Sequence, residues 1–208
     1  MKTKSSYTSR GMTRLALVFA ILTAPLGADE GNDSWTHADY KRYTPATFRN
    51  HPGAGKPVVA GKADVALLGA AIHYASNEKR IRHGLAPLEP SRALNRCATW
   101  HSRQMGTRGF FSHDNPFVPT MRTPWQRMAA VGVPGGFRAE NIAWMGGHRM
   151  TYLEAGQRIV GMWMKSPGHR ANLLSRNYRH LGCGAYVDAK WGIRIIATQN
   201  FASEVPDR

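Results

Sequence analysis

His113, Glu140 and His169 are the side chains of this sequence best suited to chemistry. His113 closes the run Gly109-Phe110-Phe111-Ser112-His113. Glu140 sits in Ala139-Glu140-Asn141-Ile142-Ala143, a carboxylate among apolar neighbours with the amide of Asn141 beside it. His169 follows Ser166-Pro167-Gly168. Two imidazoles and a carboxylate are a donor set for zinc or another divalent ion, with His113 and His169 as ligands, Glu140 completing the shell and a fourth position open. The same three groups suit general acid–base work. They are far apart in the chain and match no local metal signature, such as two histidines one helical turn apart. On spacing alone a structural role is favoured, with the three residues hydrogen-bonding loops together.

Ser112 and Ser166 each lie near a histidine, and a nucleophilic serine needs a base within hydrogen-bond reach. No Gly-x-Ser-x-Gly elbow occurs. Ser166 is better explained as a helix N-cap, because Pro167 suits the first helical position. His169 then falls in the first turn, where the positive end of the helix favours the neutral ring. On these residues the chain reads as a binding domain more readily than as an enzyme.

The elements that must position these groups follow from periodicity and caps. Asp64 opens a helix with a broad apolar face through Leu67, Leu68, Ala71, Ile72 and Ala75, ended by Gly84. Ser91 opens a second, carrying Leu94, Ala98, His101 and Met105 on one side and stopping at Gly106 to Gly109. His101 reads as a satisfied core histidine. Thr123-Pro124 starts a short helix to Val131, and another runs from about Thr151 to Met164, before the helix that Ser166 begins. Residues 137–144 are mixed and ambiguous. From Leu181 the period becomes two, through Cys183, Ala185 and Val187, and again from Trp191 to Phe201. Asp188-Ala189-Lys190 has the length of a hairpin turn, so these strands pair antiparallel. Helices beside an antiparallel sheet make an α+β domain.

The 208 residues, 42% hydrophobic and 20% charged, are the composition of one globular domain, placed at residues 64–203. Residues 1–28 read as a signal peptide: Lys2, Lys4, Arg10 and Arg14 precede the apolar run Leu15 to Leu22, and small residues follow. A secreted or periplasmic location follows, with no transmembrane segment in the mature chain. Residues 29–63 are polar and without period, and read as a flexible N-terminal arm. The formal charge is +15, and +11 without the four cations of the leader. An exported protein this basic is drawn to anionic lipid or cell-envelope polymer, whereas export removes it from nucleic acid. Cys97 and Cys183 either pair, which export permits, or pack as apolar thiols.

The ordered series Asn77-Glu78, Gly84-Leu85-Ala86-Pro87-Leu88, His101, Phe111-Ser112-His113, Thr123-Pro124, Arg127, Ala139-Glu140-Asn141, Trp163, Ser166-Pro167-Gly168-His169-Arg170, Gly182, Gly184 and Thr198-Gln199-Asn200-Phe201 resembles the bacterial branch of the CAP superfamily. That superfamily joins cysteine-rich secretory, antigen 5 and pathogenesis-related 1 proteins, and its domain is also called SCP. The resemblance spans about residues 64–202. It implies a secreted three-layer α-β-α sandwich with a central antiparallel sheet and a cavity built in many members from two histidines and two acids. His113, Glu140 and His169 match three of the four. Ser166 stands where eukaryotic members keep the second acid, which removes one metal ligand. The resemblance also implies lipid or sterol-like ligands, and it leaves a hydrolase of peptide or cell-wall bonds and a purely structural module as alternatives.

Overall fold

The computed structural model describes residues 34–147, 149–190 and 192–206. The leader expected over residues 1–28 lies outside them. Among the described residues, five α-helices and four strands follow the caps written in the sequence. The Asp64 carboxylate accepts the Leu67 N–H at 2.9 Å and opens α1, Val65–Arg82. Apolar side chains occupy most of its surface, because α1 is covered on more than one side. After the two-residue strand β1, Glu89–Pro90, Ser91 caps α2, Arg92–Arg108, which Gly109 ends in the left-handed conformation (φ +72°). Thr123 and Gln126 form a capping box for α3, Pro124–Ala130, as do Thr151 and Glu154 for α4, Tyr152–Lys165. Between them runs β2, Arg138–Gly147. Helix α5, Pro167–Leu173, and the strands β3, His180–Asp188, and β4, Ile193–Ala202, complete the order.

The sheet order is β1-β3-β4-β2. Strands β3 and β4 form the expected antiparallel hairpin, and β2 pairs antiparallel with β4 along its whole length. The sheet is mixed, however, because β1 runs parallel to β3 through Glu89↔His180 and Pro90↔Leu181. The segment leaving α1 joins the outer edge of β3 just before α2 begins, so it arrives in the same direction as β3. Of the ambiguous residues 137–144, all but Phe137 belong to β2. Ala139 to Ala143 are all buried, so the alternation that marks a half-exposed strand is missing.

The pleat divides the sheet cleanly. Glu140, Ile142, Thr198, Asn200, Gly182 and Gly184 face α2 and α3. Asn141, Ala143, Gln199, Ala197, Cys183 and Ala185 face α1 and α4. These are the three layers of an α-β-α sandwich. The same division decides the cysteines. Cys183 packs on the α1 side and Cys97, on α2, packs on the other, so both are buried free thiols.

Residues 34–63, the described part of the stretch read as a flexible arm, are packed on the domain. Trp35 is buried, with its ring 5.1 Å from Tyr40, 5.7 Å from Phe48 and 5.9 Å from Tyr74. The backbone is tied to the start of α4 by Val58 N–H to Met150 O, 2.8 Å, and by Leu153 N–H to Ala54 O, 3.0 Å. Isolated aromatic anchors at irregular spacing hold the segment, and they leave no period to read. Among the described residues no helix is long and apolar enough to cross a membrane.

Candidate functional site

Two consecutive residues of β2 build the site. Because side chains alternate along a strand, Glu140 points to one face and Asn141 to the other. Glu140 holds the loop after α2 and helix α3. Its Oε1 accepts from His113 Nδ1 at 2.9 Å, and Arg127 Nη2 reaches both carboxylate oxygens at 3.0 and 2.8 Å. Asn141 holds α5: its Nδ2 donates to the His169 carbonyl at 3.1 Å, and its Oδ1 accepts from Asn172 Nδ2 at 2.9 Å. His113 and His169 therefore flank one strand at the edge of the sheet.

The Glu140 side chain is 1% exposed, Arg127 is fully buried, and the His113 side chain is 48% exposed. Burial pushes the Glu140 pKa up, but the His113 hydrogen bond and the Arg127 charge outweigh it and hold the carboxyl below its ordinary value. Arg127 also donates to the carbonyls of Arg122 and His113, at 2.6 and 2.8 Å, fixing the loop that carries His113. His101 lies beneath, its Nε2 donating to Ser112 O at 3.0 Å and standing 3.8 Å from Glu140 Oε1. Burial lowers its pKa to about 4, so it is neutral at pH 7. Burial and the neighbouring His113 lower the pKa of His169. On the other face Asn141 continues into a buried polar chain, donating to Gln199 Oε1, whose Nε2 donates to Ser76 Oγ.

The structure thus brings His113 and Glu140 into direct contact and places Asn141 under His169. Ser166 occupies the N-cap position of α5 through its backbone, Arg170 N–H to Ser166 O at 2.8 Å, but its hydroxyl makes no capping bond. Ser112 Oγ accepts from Asp114 N–H at 3.1 Å, a local turn, and is not poised against a histidine. The contribution of Arg127 is legible in the sequence only through the family series. A buried arginine on a short helix has no local signature.

A metal shell centred on Glu140 does not fit this donor set. Both carboxylate oxygens are engaged by Arg127, and a buried guanidinium beside them repels a cation. Among the described residues no three His, Cys, Asp or Glu side chains converge as a metal site.

The profile of the cysteine-rich secretory protein family (CAP) matches residues 73–201. The Bacillus subtilis (strain 168) uncharacterized protein YkwD is 32% identical over 114 residues, 55% of this chain and 40% of its own length. The uncharacterized membrane protein YlbC of the same strain is 33% identical over 126 residues, 61% of this chain and 32% of its own. Among solved structures, an extracellular SCP-domain protein from Bacillus anthracis str. Ames aligns with a TM-score of 0.56 and 28% identity, over 69% of this chain and 42% of that one. An outer surface protein of Borrelia burgdorferi shares the fold, with a TM-score of 0.51 and 19% identity, over 65% of this chain and 92% of its own. The chain thus spans less than half the length of either Bacillus subtilis relative. With the profile covering most of the chain and the sandwich in place around His113, Glu140 and His169, the chain belongs to the cysteine-rich secretory protein (CAP) family.

Proposed function

We propose that this chain is a non-catalytic binding domain that works outside the cytoplasm and is drawn to an anionic component of the cell envelope. The observation that carries the non-catalytic reading is the commitment of Glu140. Its two oxygens are occupied by Arg127 and His113, so it orients an imidazole and is not free to exchange protons with a substrate. The envelope reading is supported by the formal charge of +15, or +11 without the leader read in residues 1–28, by that leader and by the likeness to an extracellular SCP-domain protein.

Sedimentation with phosphatidylglycerol vesicles tests the partner. We expect binding that weakens as salt rises and is absent with phosphatidylcholine vesicles. Equal partition onto both vesicles overturns the anionic reading. Displacement by soluble polyglutamate at equal charge identifies a polymer-type anion as the better partner within the same reading. Fluorophosphonate labelling is expected to leave Ser112 and Ser166 unmodified, and labelling of either overturns the non-catalytic reading.

Of the metal expectation, the donor set leaves only a two-imidazole form, His113 and His169 with water completing the shell. Titration calorimetry with zinc tests it: loss of the heat in the His113→Ala, His169→Ala double variant supports that form, and unchanged heat removes it.

A further inference from the structure

We propose that the chain carries a second binding site, for a small organic anion with an apolar body, in the cavity between its N-terminal segment and the start of α2. The cavity holds about 860 Å³, within the range of small-molecule sites, and none of His113, Glu140 and His169 lines it.

Three features point to an anion. First, Ser91, Arg92 and Ala93, the N-cap and first turn of α2, line the cavity. The helix has 17 residues, and Ser91 Oγ caps only the Leu94 N–H, so the positive end of the helix faces this space. Second, Arg92 and Arg96 are both in the wall. Among the described residues the one acid there, Glu89, is 77% exposed and stands 3.9 Å from His180, which also lines the cavity. Third, Trp35 lines the cavity at 6% exposure, and its indole Nε1 is buried with no hydrogen-bond partner among the described residues. An indole N–H can only donate, so it calls for an acceptor oxygen on the ligand. The Tyr40 hydroxyl lies near the indole but outside hydrogen-bond geometry, and Asn95 neighbours that hydroxyl. His37 Nδ1 is likewise buried and unpartnered, and burial together with Arg92 disfavours its charged form. The Tyr40 ring and Val131 supply apolar wall for the body of the ligand.

The experiment uses the whole chain labelled with nitrogen-15. The Trp35 indole resonance is identified by its loss in Trp35→Phe. The probes are 8-anilinonaphthalene-1-sulfonate and its neutral counterpart N-phenyl-1-naphthylamine, which differ by the sulfonate. We expect the sulfonate to shift the Trp35 resonance saturably. Arg92→Gln, an exposed position that leaves folding intact, should weaken that binding about tenfold, the loss of one charge-assisted contact. The neutral probe should bind more weakly and ignore Arg92→Gln. The double variant His113→Ala, His169→Ala should bind the sulfonate as the parent does. No Trp35 shift, equal binding of both probes, indifference to Arg92→Gln, or loss in the histidine double variant each overturns the site. None of these outcomes bears on the vesicle experiment, so the two proposals fail separately.

Discussion

A buried ion pair holds the centre of the candidate site, and the cost of breaking it exceeds what its presence contributes. Arg127→Met leaves the Glu140 carboxylate buried with only His113 as partner. We expect a loss of about 3–5 kcal/mol in urea unfolding, with part of it recovered in the double variant Arg127→Met, Glu140→Leu. His113 is half exposed and gives up one charge-assisted hydrogen bond, so His113→Ala should cost only about 1–2 kcal/mol. The histidines also set an acid limit. Burial holds His73 neutral with a pKa of about 3 and His101 with one of about 4. In the unfolded chain both bind a proton near pH 6.5. The unfolded state therefore takes up more protons as the pH falls, and stability is lost from about pH 6.5 downward. Glu140, whose folded pKa is depressed, adds its own loss below its ordinary carboxylate value of 4.5. Urea midpoints at pH 7, 5.5 and 4 should fall in that order, and His73→Gln should flatten the slope by about one proton.

At the scale of elements, α2 can lie against β3 only because two strand residues have no side chain. A Cβ on Gly184 would come within 2.1 Å of the Thr99 backbone nitrogen, and one on Gly182 within 2.2 Å of the Leu94 backbone. Gly184→Ala should therefore cost at least about 2 kcal/mol, read as a lower melting temperature, and it should loosen His101 at the same time. Most elements were legible before the structure because their ends carry chemistry: Asp64, Ser91, Thr123 and Thr151 each accept a backbone N–H where a helix begins. The period-two pattern of β3 and β4 was equally plain. Strand β2 was not, since burial on both faces removes its alternation. His113, Glu140 and His169 were legible as residue types. That Glu140 and Asn141 serve opposite faces needed the strand assignment, and Arg127, present in the family series, took its role only from the fold. Ser166 was placed correctly as the N-cap, but its hydroxyl does not make the expected bond.

At the scale of the whole molecule, the packed unit includes residues 34–63. Trp35, Phe48, Ala54 and Val58 are buried in the same core as α1 and α4. A chain that begins at residue 64 uncovers Tyr74 and the start of α4. Each large side chain so lost from the core removes about 1.5–3 kcal/mol of burial. We expect such a chain to melt at least about 10 °C lower than one beginning at residue 29, measured by circular dichroism.

Residues 34–63 also lie outside the matched family stretch, which starts at residue 73, whereas Glu140 and its partners lie within it. One wall of the cavity at the start of α2, formed by Trp35, His37 and Tyr40, is thus drawn from sequence that the family profile does not constrain. Neither Glu140 nor His113 nor His169 lines that cavity, so the wall and the candidate site sit on separate stretches of sequence. A chimera that exchanges residues 34–63 between relatives while keeping the core side chains Phe48, Ala54 and Val58 therefore alters the cavity wall and leaves the sequence of the candidate site untouched.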